Sequence, residues 1–470
     1  MSLRRQVDGR QGILPFVIEM GEREDVTARA GLPLVIETFR AMCLEEVAEE
    51  KLPQPKRQRD FTQADKLESL ATLIAAGGDR IEDIQILNDD KGLMRLVGKP
   101  FPSPDILLDF LKTFHDPLAW SDRPLDEKSF VPVESAALRG LDAINMTLVQ
   151  RGADPTITTA TIDHDGTIIE SHKRDAKIAY EGTRGYQPLV AVWAEQQLIV
   201  GDEFRDGNVP GGKDPLSSVK RAFENLPPWV EKRYFRGDSA DYYAPLLQYL
   251  ISQEIGFTIS ADMTQQLRDC CLKVTDWVEL EKRTRDQVDW AEVEFSSGDW
   301  PKGAPALRYI VLRITLLQLE LFEQRSPKYL AVVSNRNDFS APELVKWHWG
   351  KAGTIEHVHR IVKDELSGAV MPSQNFGANA AWFRINTLTF NLLTVLKRKA
   401  LPERYGLARP KCLRFEIFTI PARLSVHQSQ LVARFSASEK RVEEIVTARR
   451  CLLQMREAMK SPQALSPKIS

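Results

Sequence analysis

Three acidic residues stand where regular structure is expected to end or turn. Asp165 lies in Thr161-Ile-Asp-His-Asp-Gly-Thr167, Asp238 in Arg236-Gly-Asp-Ser-Ala240, and Glu356 in Gly353-Thr-Ile-Glu-His-Val358. Clustered carboxylates hold divalent cations, and two such ions clamp the attacking and leaving oxygens of a phosphodiester displacement. Asp163 precedes Asp165 by two positions, so on a strand both face one side. Singly, Asp-Gly-Thr and Arg-Gly-Asp-Ser are common turn sequences, because Asp and Gly suit turn geometry. The weight rests on the trio taken in order: strand end, strand end, helix.

Those acids need elements to position them. Thr156 to Ile162 is β-branched and alternating, as a strand should be. Pro188 to Trp193 and Leu198 to Phe204 read as a hairpin turned at Glu195-Gln196-Gln197. A helix over 215–226, a strand over 233–236, a helix over 242–254 and a strand over 256–260 follow. This order predicts a mixed sheet flanked by helices, with the strands before Asp165 and Asp238 as neighbours. Residues 262–326 turn strand-rich around Gly298-Asp-Trp-Pro-Lys-Gly303. Tyr329 to Ser334 is a strand, the next helix carries Glu356, and Ala378 to Lys399 is a very apolar helix. Residues 1–155 read as helical, with helices expected at 32–50, 61–76, 81–87 and 104–114, the last opened by Ser103-Pro104. Lys51 to Arg59 reads as an exposed basic loop. A closing helix spans 438–459, before a polar last stretch.

Bulk properties set bounds. With 470 residues, two to four domains are expected. A net charge of −2 argues against a polycationic DNA coat but leaves room for a local basic groove. Five cysteines (Cys43, Cys270, Cys271, Cys412, Cys451), without a Cys-x-x-Cys, exclude a disulfide framework or a cysteine zinc site. His357 and His359 do not share a helical face, which argues against zinc there, and His164 should face away from its flanking aspartates. The short apolar run Ile13 to Ile18 holds Pro15 and is too short for a signal peptide. No segment reaches the apolar length of a membrane span, so a cytoplasmic protein with no membrane partner is expected.

The ordered acids, the strand-rich segment between the second and third of them, and several short motifs together resemble the DDE transposases of bacterial insertion sequences. The motifs are Gly31-Leu-Pro-Leu-Val35, Gly77-Gly-Asp-Arg80, Pro102-Ser-Pro104, Tyr180, Gly182, Gly185, Tyr186, Pro188 and Phe204-Arg-Asp-Gly-Asn208. The resemblance covers most of the chain. It implies an α/β fold: an RNase H-like mixed-sheet catalytic core with a β-rich insertion, plus a helical N-terminal domain and a helical C-terminal segment. The divisions are 1–155 (DNA-binding), 156–261 and 327–400 (core), 262–326 (insertion) and 401–470. The family's Tyr-(2)-Arg-(3)-Glu-(6)-Lys signature, set on Glu356, places Lys363 on the lysine, Ala352 on the arginine and Trp349 on the tyrosine. Lys351, beside the missing arginine, is the nearest substitute cation. The short form Asp-x-Thr selects Asp165 as first acid, with Asp163 second choice as a metal ligand.

The resemblance further implies two Mg²⁺ ions (Mn²⁺ substituting) held by Asp165, Asp238 and Glu356, and cleavage followed by strand transfer. Double-stranded DNA, as transposon ends and as target, is the expected partner, with a homodimer pairing two ends in a bacterial, nucleoid-associated complex. Expected DNA contacts are Lys363, Trp349, Lys351, Arg283, Arg285, Lys173 and Arg174, with Trp300, on a Gly- and Pro-rich loop, as the base-stacking tryptophan. Two other readings stay open: a transposase-derived DNA-binding protein that no longer cuts, and an RNase H-like nuclease that does not join.

Overall fold

The computed structural model describes residues 25–55, 60–118, 129–173, 176–317 and 326–461. The apolar run 13–18, the basic positions 56–59, Arg174 and the last nine residues lie outside them.

After the two-residue strand β1 (Val26–Thr27), the chain is helical: α1 (Pro33–Ala41), α2 (Leu44–Lys51), α3 (Gln63–Ala76), α4 (Ile84–Asp89), α5 (Lys91–Val97), α6 (Pro104–Lys112) and α7 (Ala136–Gly152). The single helix expected over 32–50 is broken at Cys43, whose φ of 48° is left-handed and incompatible with helix continuation. Thr62 and Asp65 close a capping box on α3, and Ser103 caps α6 ahead of Pro104.

The sheet-forming part runs β2 (Thr159–Gly166), β3 (Ile169–Glu170), β4 (Lys177–Ile178), β5 (Arg184–Tyr186), β6 (Leu189–Trp193), β7 (Leu198–Glu203), α8 (Leu216–Glu224), β8 (Lys232–Gly237), α9 (Ala244–Ser252), β9 (Gly256–Ser260) and α10 (Gln265–Lys273). It continues with β10 (Val278–Lys282), β11 (Asp286–Val293), β12 (Arg308–Leu316), β13 (Lys328–Ser334), α11 (Ala341–Arg360), α12 (Phe376–Lys399), α13 (Pro410–Leu413), β14 (Ala422–His427), β15 (Gln430–Phe435) and α14 (Glu439–Lys460).

Nine strands form one mixed sheet in the order β10-β11-β12-β13-β9-β8-β2-β6-β7. The strand-rich segment thus joins the main sheet through β12 and β13. At the centre, β2 neighbours β8, as expected, and runs parallel to it, with Asp163 opposite Arg236; it runs antiparallel to β6, with Asp165 opposite Val190. That pairing carries β2 past Ile162 to Gly166, so Asp165 sits on the strand itself.

Strand alternation sorts side chains to two covers. Ala160, Ile162, Ala191 and Trp193 pack with Val219, Ala222, Leu246 and Leu250 of α8 and α9. Val190, Val192 and Ile199 face the other way, into a core shared with α12, the N-terminal helices, and Ile355 and Val358 of α11. Every residue of α12 from Phe376 to Lys397 is buried, so its polar groups need partners. Arg384 donates to Asp202 and to the Leu138 carbonyl and pairs with Glu134; Asn391 bridges Ile199 and Asn145. The hairpin β14–β15 pairs with β1, tying the start of the described chain to the segment after α13. Among the described residues no helix is long and apolar enough to cross a membrane.

Candidate active site

The centre is built where β2, β8 and α11 meet. Because β2 and β8 are parallel neighbours, Asp165 near the end of one and Asp238 just past the end of the other come side by side. Asp165 accepts the Gly166 N–H at 3.0 Å, and Asp238 Oδ1 accepts the Ala240 N–H at 3.0 Å, capping the turn after β8. Asp163, fully buried, faces α11 on the same side as Asp165. Arg236 donates to it twice, Nε at 2.6 Å and Nη2 at 2.8 Å, and also to the Trp347 carbonyl at 2.6 Å; the Thr354 hydroxyl gives Asp163 a further bond. With its oxygens taken this way, Asp163 is a brace between β2, β8 and α11. It is not an open metal ligand, and the second-choice ligand reading gives way to this one.

Burial pushes the Asp165 carboxyl up to about 6; the Lys351 ammonium, 3.7 Å away, pulls it down, and the charge of Asp238 pushes it up again. Nε2 of His359 lies 3.9 Å from the other Asp165 oxygen and has no hydrogen-bond partner. Burial, then the nearby Lys363 and Lys351, hold His359 down at about 3, so the ring is neutral. About three turns back, buried His348 contacts Ser260 and Thr258 hydroxyls and is held down at about 4, mainly by burial. His164 does turn to the opposite face, between Asp241 (2.8 Å) and Ser218 of α8. Asp262, just past β9, is raised by burial and then by Asp238, which marks a third acid within electrostatic range.

Glu356 is not part of this convergence. The buried face of α11 runs through Leu344, His348, Lys351, Ile355, Val358 and His359, and Glu356 falls beside that stripe, exposed and without a hydrogen bond or ion pair to the described residues. No three His, Cys, Asp or Glu side chains among the described residues converge closely enough to hold a metal. The Asp165–Asp238 pair does suit a divalent cation: like charges side by side, one already pushed toward protonation, are the arrangement a dication relieves.

The other expected contacts scatter. Lys351 is buried against Asp165 rather than free at the surface. Lys363 sits in a π-helical turn, Ile361–Glu365, and donates to the Ile168 carbonyl (2.8 Å) and Thr167, bracing the chain just after Asp165. Arg283 stacks 5.1 Å over Trp349, which packs with the added strands rather than toward the acids, and Arg283 and Arg285 are exposed on the β10–β11 hairpin. Trp300 is half-buried, its indole N–H on the Pro305 carbonyl and its side chain packed against the core under β12, and it lines a small surface cavity. Lys173 lines a surface cavity with Arg80, Glu170 and His172, away from the acid pair. The sequence reading did not single out Arg236, Thr354, His359 or Asp241 for the parts they play. The signal was present for one of them, since His359 falls on the apolar stripe of α11, as Lys351 does.

The family described as transposase DDE domain group 1 matches residues 19–457. No curated protein matches the chain. Among solved structures, a cryo-EM structure of the piggyBac transposase synaptic complex with hairpin DNA aligns over 93% of this chain and 83% of its own, at 10% identity and a TM-score of 0.45.

Proposed function

This chain belongs to the group 1 DDE-domain transposases, and on that premise we propose that it binds the terminal inverted repeats of an insertion sequence and catalyses DNA cleavage and strand transfer. The observation that carries the reading is the meeting of Asp165 and Asp238 on adjacent parallel strands, beside a helix that supplies further polar groups.

Asp165 and Asp238 would hold Mg²⁺ or Mn²⁺; Glu356 stays the third acid that the family resemblance implies, although on α11 it lies outside their convergence. When bound, such ions activate an attacking oxygen and stabilise the leaving one. The chain's own part is positional. Arg236, Asp163 and Thr354 lock β2, β8 and α11 in register, so the two acids keep one relative placement. Lys351 keeps Asp165 more readily ionised than burial alone would allow. Lys363 fixes the loop through which β2 leaves the centre. Exposed Arg283 and Arg285, with half-buried Lys173, are the cations offered to the DNA backbone, and pairing of two ends calls for two copies of the chain.

Replacing Asp238 by Asn removes one anionic donor while retaining the shape of the turn. Cleavage of an end-bearing duplex should be lost while binding of that duplex persists; retained nicking refutes the assignment. Pre-cleaved ends then separate the alternatives: joining marks a transposase, nicking without joining a nuclease, and binding alone a non-cutting descendant.

A further inference from the structure

Asp165 is placed by the sheet, but Asp238 is not. The β2–β8 ladder ends with Asp163 opposite Arg236, and β8 itself ends at Gly237. Asp238 caps the turn Ser239–Asp241 and goes where that turn goes. Asp241 closes the turn with its N–H on the Asp238 carbonyl, and its side chain reaches back to β2. There both carboxylate oxygens meet Nδ1 of His164, at 2.8 and 3.1 Å. Nε2 of the same ring lies 3.2 Å from the Ser218 hydroxyl of α8. An Nδ1–H aimed at the carboxylate leaves Nε2 to accept from that hydroxyl, so the three side chains satisfy one another.

Serine, histidine and acid in this array have the form of a nucleophile with its base. His164 and Ser218 are only 2% exposed and Asp241 1%, so no substrate reaches the hydroxyl, and the array is a tie rather than a second reactive centre. Gly237 belongs to the same tie. A Cβ there would come within 2.7 Å of the Asp241 Cβ, so a larger residue would push Asp241 off His164. We propose that His164 and Asp241 are positioning residues for the acid pair: their hydrogen bond sets where Asp238 stands relative to Asp165. The proposal rests on the reading of those acids as the reaction centre. His164 is the neighbour of Asp165 in β2, and Asp241 closes the turn that carries Asp238, so one bond joins the backbone segments bearing both acids. The Arg236–Asp163–Thr354 brace binds β2, β8 and α11 on the other face of the sheet, ahead of the turn.

The test uses the full-length chain. Asp241→Asn keeps an oxygen for the Nδ1–H, whereas Asp241→Ala removes it. Single-turnover cleavage of an end-bearing duplex should fall about tenfold or more in Asp241→Ala, with duplex affinity unchanged, and recover to within about threefold of wild type in Asp241→Asn. A second readout needs neither metal nor catalysis. In chelator, urea unfolding of Asp165→Asn, Asp238→Asn and the double variant gives the coupling between the acids. That coupling should persist in an Asp241→Asn background and vanish in Asp241→Ala. If Asp241→Ala does not melt cooperatively, His164→Phe with Asp241→Leu replaces both polar partners by apolar ones and supplies the folded variant. Either cleavage within about twofold of wild type or an unchanged coupling, in a folded variant lacking the bond, overturns the proposal. So does a failure of Asp241→Asn to recover. If Asp165→Asn and Asp238→Asn cleave as the wild type does, the reading of the centre fails instead, and the coupling still decides the placement.

Discussion

Arg236 offers the sharpest test of how the centre is held. In Arg236→Met the carboxylate of Asp163, fully buried, keeps only the Thr354 hydroxyl, and the Trp347 carbonyl loses its side-chain donor. Removing one partner of a buried pair costs about 3–5 kcal/mol, and the lost carbonyl bond about 1 kcal/mol more. The carboxylate has an escape, which is to take up a proton. From an ordinary value of 3.8, that costs about 4 kcal/mol at pH 7 and about 1.6 kcal/mol at pH 5, at ~1.36 kcal/mol per unit. The carboxylate's share of the loss therefore has a ceiling that falls with pH. Arg236→Met should lose about 5 kcal/mol at pH 7 and about half that at pH 5, and Asp163→Asn in the same chain should restore part of the loss. Urea unfolding followed by tryptophan fluorescence reads this near the break, since Arg236 lies 5.2 Å over the Trp347 ring. A loss under about 1 kcal/mol at pH 7, or one that does not change with pH, would show that the brace carries little.

Two further outcomes follow from carboxyls displaced in opposite directions. Asp165 sits at about 6 in the folded chain against an ordinary 3.8, so its ionised form opposes folding at neutral pH and that penalty fades as pH falls through 6 toward 3.8. In chelator, Asp165→Asn should be more stable than the wild type by up to about 3 kcal/mol at pH 7.5 and equal to it near pH 4; Mn²⁺ should stabilise the wild type alone, and urea midpoints that move together in both proteins would contradict the site. Burial would raise Glu134, but Arg384 and Arg221 bring it to about 2 against an ordinary 4.5. Its contribution of about 3 kcal/mol is complete above pH 4.5 and lost as pH falls toward 2, so acid unfolding of Glu134→Gln should converge on the wild type only at the acid end, and parallel curves across pH 2–7 would reject the pairing.

Much of this architecture is legible in residue order. The alternation in Thr161-Ile-Asp-His-Asp, the β6–β7 hairpin and the strand before Asp238 identify the centre of the sheet, because period-two patterns and turn residues are local signals. The expected adjacency of β2 and β8 holds, and their pairing is parallel, which brings the acids together. What did not read is non-local. Nothing in Val288 or Ile310 says that their strands continue the main sheet, and the β14–β15 hairpin and α7 were not anticipated. The phase of α11 is the telling case. A motif spacing selects Glu356, yet the apolar stripe through Leu344, Ile355 and Val358 points Lys351 and His359 at the sheet. Which side of a helix meets its neighbour is decided by packing, and the motif spacing did not account for it.

Helix α11 has its first turns seated on the added strands, with Ala341, Leu344 and Val345 packed against Val288, Ile310 and Leu312. Its later turns grip β2 through Lys351, Thr354 and His359. It is therefore a girder laid over a single continuous ladder of strands, one unbroken helix from its Ala341 end to the residues that grip β2. A load taken up at that outer end would arrive at the chemistry as strain rather than be absorbed by a swinging lobe.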